Sequence, residues 1–73
     1  MMIELKTPVQ VRVPGTSGVF VTIPKESKVN YSSNVSELSA DIWVHRFNVQ
    51  HPKTHQILEY VETIQGRTNP SWL

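Results

Sequence analysis

Cysteine is absent from the 73 residues, and the sequence has only three glycines and two each of Trp, Tyr and Phe. Without cysteine there is no disulfide framework, no Cys-based zinc finger, no iron–sulfur site and no thiol catalysis. Long apolar runs are missing too. The longest, such as Val19-Phe20-Val21, falls far short of the roughly 20 residues that a helix needs to span a membrane. Neither sign of charge dominates: seven Lys+Arg against six Asp+Glu give +1, unlike the strongly basic balance of a dedicated DNA-binding module. The segment Met1–Lys6 carries Glu4 early, with Pro8 close behind, and so has no apolar core of a signal peptide. These absences lead us to expect a cytoplasmic chain with no membrane association, monomeric when free.

With 38% hydrophobic residues, the chain reads as one small domain over 1–73. A domain this size buries only about 60% of the surface that its unfolded chain exposes, which leaves little room for a deep catalytic pocket.

The apolar residues that are present follow a clear pattern. Val9, Val11 and Val13 alternate with Gln10 and Arg12, and Val19, Val21 and Ile23 repeat the period of two, the signature of half-buried strands. Pro14-Gly15-Thr16-Ser17-Gly18 between them is turn chemistry, so residues 9–23 read as a hairpin bracketed by Pro8 and Pro24. Residues 25–41 are mostly polar and read as a long loop. Asn34 and Glu37 have capping-box spacing for a short helix around 34–40, with Val35, Leu38 and Ile42 near one face. Ile42 to Val49 reads as a strand by composition. Gln56 to Ile64 carries helical spacing at Ile57, Leu58, Val61 and Ile64, yet it is also rich in strand formers. The short turn at Pro52 favours a second hairpin over 42–64, with 65–73 as a tail. The expected fold class is mainly β, a small α+β domain of two antiparallel hairpins joined by a long loop containing one short helix.

Few groupings carry chemistry. His51 and His55 have the i, i+4 spacing of a helical metal site, but Pro52 stands between them and argues against a helix. Glu59 and Glu62 would point to opposite faces of a strand. Pro14–Gly18 lacks the Lys-Ser or Lys-Thr of a phosphate-binding loop, and no Gly-x-Ser-x-Gly turn presents a serine nucleophile. We therefore expect no enzyme activity, no metal and no cofactor. A nucleic-acid-binding patch could form from Arg12, Lys25 and Lys28 near Phe20 and Tyr31. The alternative is that Phe20 and Phe47 are core and the lysines a solvated face.

Protein recognition is the function expected. Ile3, Leu5, Tyr31 and Trp72 are apolar or aromatic at the ends of a small domain and in its long loop, with Lys25 and Lys28 nearby, and such side chains anchor partners or flank an added strand. They could instead close the ends of a thin core. The layout of two hairpins around a long loop with one short helix resembles small bacteriophage-encoded regulators that bind bacterial RNA polymerase. The likeness spans the chain in architecture, and no functional residue is carried across by it. It implies a non-enzymatic binder of the host polymerase in the host cytoplasm that inhibits transcription initiation and promotes antitermination. A small single-stranded nucleic-acid-binding β-domain and a structural subunit of a virion or larger complex are the alternatives.

Overall fold

The computed structural model describes residues 1–73 and contains strands but no helix. There are six strands: β1 (Met2–Glu4), β2 (Val9–Arg12), β3 (Phe20–Ile23), β4 (Lys28–Val35), β5 (Ile42–Gln50) and β6 (Ile57–Gln65). Four of them form an antiparallel sheet in the order β1-β4-β5-β6, and β2 and β3 form a separate two-stranded sheet. The mainly β class follows from the period-two patterning. No helix is long and apolar enough to cross a membrane.

The first hairpin forms where the alternation places it. Val9 lies opposite Ile23 and Val11 opposite Val21, so the valines share one face, with Val9, Val11 and Ile23 buried. The connecting loop uses Gly15 and Gly18 at φ of 75° and 78°, backbone angles that favour glycine. The second hairpin, β5–β6, is also present. Its register sets Phe47 opposite Tyr60 and Val49 opposite Leu58, which places these four side chains on one face.

The segment 25–41 departs from expectation. About half of it is β4, whose Val29 and Tyr31 are buried while Lys28, Asn30, Ser32 and Asn34 are exposed. The turn before it, Pro24–Ser27, closes through the Ser27 N–H donating to the Pro24 carbonyl at 3.2 Å and holds Glu26 at a φ of 73°. The short helix expected over 34–40 is absent. Asn34 and Val35 pair with Val44 and Trp43 in the sheet, leaving only residues 36–41 to connect the strands. Within that connection the Leu38 and Asp41 N–H groups donate to the Ser36 and Ser39 hydroxyls at 3.2 and 3.3 Å. Serine side chains compete with helical bonding in this way. Leu38 is 96% exposed, so there is no apolar face for a helix to bury.

Both ends of the chain are built into the domain. β1 pairs with β4 through Ile3 opposite Val29, and Leu5 is buried just beyond it. Residues 66–73 fold back across the inner face of the larger sheet. The Lys6 N–H donates to the Trp72 carbonyl at 2.9 Å, and Trp72 packs edge-on against Phe47, Tyr31 and Tyr60 at ring separations of 5.1, 5.8 and 6.1 Å. The core is Leu5, Val9, Val11, Ile23, Val29, Tyr31, Phe47, Leu58 and Trp72. It lies between the inner face of the larger sheet, the β2–β3 hairpin and the tail.

Candidate functional site

Two features could serve binding: a cleft on the inner face and the open edge of β6. The inner face carries four cross-strand rows, of which Ser33–His45–Glu62 and Val35–Trp43–Ile64 lie farthest from the buried Val29 and Leu58. Here the tail supplies the opposing wall. Tyr31, Ser33, Trp43, His45, Arg67 and Asn69 line a cleft of about 380 Å³, within the usual range of small-molecule sites.

Each wall has a local cause. Period-two alternation along β4 and β5 puts Tyr31, Ser33, Trp43 and His45 on one face. Gly66, at a φ of 80°, turns the chain off β6, with its N–H donating to the Asp41 carbonyl at 2.7 Å. Arg67 and Asn69 follow. Burial of Pro70 and Trp72 then fixes the tail in place.

His45 is buried at the back of the cleft. Its Nδ1 lies 2.7 Å from the Tyr31 hydroxyl, and the two rings lie nearly parallel, 19° apart in tilt. Nε2 is left as the ring's second nitrogen, with no hydrogen bond inside the chain. When the Tyr31 hydroxyl donates to Nδ1, Nε2 carries the proton of the neutral ring, and in the imidazolium both nitrogens carry one. Next to His45 across the sheet, Glu62 is turned toward the core. Its Oε1 accepts from the Tyr60 hydroxyl at 2.7 Å and from the Trp72 indole N–H at 3.3 Å. The cleft lining therefore contains no carboxylate.

Tyr60 reports on this carboxylate. Its phenol is pushed up to about 12, first by burial, then by the hydrogen bond to Glu62 and its negative charge. A folded-state value above the unfolded one near 10 means that the folded chain holds this proton more tightly. The stabilisation is complete below about pH 10 and is lost as pH rises through about 12. Alkaline titration followed by phenolate absorbance should show Tyr60 ionising late. Glu62→Gln should lower that midpoint only in part, since burial remains.

The open edge belongs to β6, which is nine residues long and pairs only with β5. The His51 N–H donates to the Gln56 carbonyl and the Gly66 N–H to that of Asp41. With the register of the hairpin, these bonds turn the backbone groups of even-numbered β6 residues toward β5. Ile57, Glu59, Val61, Thr63 and Gln65 therefore present theirs outward. β2 touches β6 without pairing to it. Ile57 and Val61 are exposed on the outer face.

The residues expected to bind a partner are not brought together. Leu5 and Trp72, at 1% and 2% exposure, are core, and Tyr31 is buried against His45. They close a thin core and are not surface anchors, because the tail and β1 both pack inward. Ile3 is half-buried in β1. Lys25 lies exposed in the β3–β4 turn, and Lys28 begins β4 opposite Glu4. The basic and aromatic grouping is scattered as well. Phe20 faces Arg12 in the register at one end of β3 and is exposed, which corrects its placement in the core, while Lys25 lies beyond the other end. Phe47 is fully buried. His51 Nδ1 accepts from the N–H groups of Lys53 and Thr54 at 3.0 and 3.3 Å, a turn-capping role. No three His, Asp or Glu side chains gather where a metal could be held.

Of the cleft lining, residue reasoning singled out Tyr31 as a binding residue and not Ser33, Trp43, His45, Arg67 or Asn69. The alternation Trp43-x-His45-x-Phe47-x-Val49 is the signal that places His45 on the inner face. Nothing in a polar tail marks Arg67 or Asn69 as facing it. Compared with family models, curated proteins and solved structures, the chain matches none of them.

Proposed function

We propose that this domain is a non-enzymatic protein-binding module that takes an extended segment of its partner as an added strand along β6. One observation carries the reading: β6 offers nine residues of strand with one side unpaired and no proline to blunt it. Natural sheets usually protect such an edge, and strand addition is a common way of using one. The exposed part of β4 beyond β1 is a poorer template, because only Ser32–Val35 remain unpaired there. Glu59 and the exposed Ile57 and Val61 suit a segment that carries a basic residue between apolar ones.

Bacterial RNA polymerase is the partner to test first, in keeping with the resemblance to phage transcription regulators. The missing helix removes part of the layout behind that resemblance. What supports it is a small β domain with an open edge. The test uses purified polymerase and Thr63→Pro. Thr63 is exposed and its N–H points away from β5, so proline there removes an edge donor while sparing the β5–β6 ladder. We expect binding at physiological salt that weakens by roughly tenfold or more in the variant. Absence of polymerase binding overturns this partner, and binding unchanged by Thr63→Pro overturns the edge.

A further inference from the structure

We propose that the inner-face cleft is a binding site for a small aromatic monocarboxylate. The reading is independent of the β6 edge, since none of the lining residues lies on β6. Every polar side chain at the cleft has at least one donor to offer. Arg67 contributes a guanidinium, Asn69 an amide N–H₂, Ser33 a hydroxyl and His45 its Nε2–H. No carboxylate lines the walls to neutralise Arg67. Glu62, the one acid on this face near His45, accepts both its hydrogen bonds at Oε1, turned toward Tyr60 and Trp72.

A single cation surrounded by neutral donors matches one negative charge better than two. Arginine also favours a planar, two-oxygen acceptor, which it can hold with two parallel N–H bonds. The Tyr31–His45 bond sharpens the preference. With the Tyr31 hydroxyl donating to Nδ1, or with the ring protonated, Nε2 offers a proton to the ligand; only the remaining tautomer would offer a lone pair and repel an anion. An anion therefore selects the states in which His45 donates.

The aromatic half of the ligand follows from Trp43. It lines the cleft and is only half-buried, although its row neighbours Val35 and Ile64 lie beside it in register. An indole left open beside a carboxylate-binding group offers a flat face for a ring to stack on. About 380 Å³ is room for a bicyclic acid.

The experiment titrates the intact chain with 2-naphthoate and follows backbone and indole N–H signals by NMR. Saturable shifts are expected at Ser33, Trp43, His45, Arg67 and Asn69. The neutral isostere 2-naphthylmethanol should bind roughly tenfold more weakly, as should 2-naphthoate to Arg67→Gln, a change at an exposed side chain. Inorganic phosphate, lacking the ring, should compete poorly. Shifts that map elsewhere, no saturable binding, equal affinity for the alcohol, or undiminished binding to Arg67→Gln would each overturn the proposal. Unchanged dispersion of the variant's spectrum confirms that its loss is local.

Discussion

Trp72→Ala should destabilise the domain by about 3–5 kcal/mol, as truncation of a fully packed tryptophan does elsewhere. A chain of 73 residues has a net stability of roughly 4–11 kcal/mol at the usual per-residue range, so this one change removes from about a quarter of it to all of it. The effect is large because Trp72 is only 2% exposed and touches three other aromatic rings edge-on. Its truncation also strips a donor from Glu62, whose charge then keeps only Tyr60 as its hydrogen-bond partner. Chemical denaturation followed by circular dichroism measures the loss. A drop of less than about 1 kcal/mol would mean that the tail docks without belonging to the cooperative unit.

The second large effect is at the Tyr31–His45 pair. Tyr31→Phe keeps the ring in the core and deletes one hydroxyl, yet it leaves the buried His45 Nδ1 without its 2.7 Å partner. An unsatisfied buried polar atom costs about 1–3 kcal/mol, more than the net worth of the bond itself. Adding His45→Leu to Tyr31→Phe removes the orphaned nitrogen and should recover stability relative to the single change. If the double variant is the less stable of the two, the imidazole contributes mainly by packing and the hydrogen bond is incidental.

These residues show how far the sequence could be read. The hairpin at Val9–Ile23 was legible because apolar side chains recur at period two with turn residues between them, and that at Ile42–Gln65 from its strand-forming composition and the short turn at Pro52. β4 was not, since Ser32, Ser33 and Asn34 are turn formers when judged alone and become strand only because β5 supplies hydrogen-bond partners. Leu5 and Trp72 are single apolar residues without a periodic context, so only tertiary packing reveals them as core. The cleft draws on β4, β5 and the tail, segments far apart along the chain. Its donor-rich chemistry emerges only once the tail lies across the sheet.

The bond from Lys6 to the Trp72 carbonyl joins opposite ends of the chain, and that has a kinetic meaning. Such a contact forms only after nearly the whole polypeptide has been brought into a closed loop, with the entropy of closure spent before the contact gives anything back. β1 reaching to β4 adds a second distant pairing. Domains dominated by such pairings fold on the order of milliseconds to seconds, slower than helical bundles of equal size. Hairpins β2–β3 and β5–β6 are the local pieces available early, and docking of the tail is expected after them. A refolding chain would therefore pass through a time when its sheet is formed and its cleft does not yet exist.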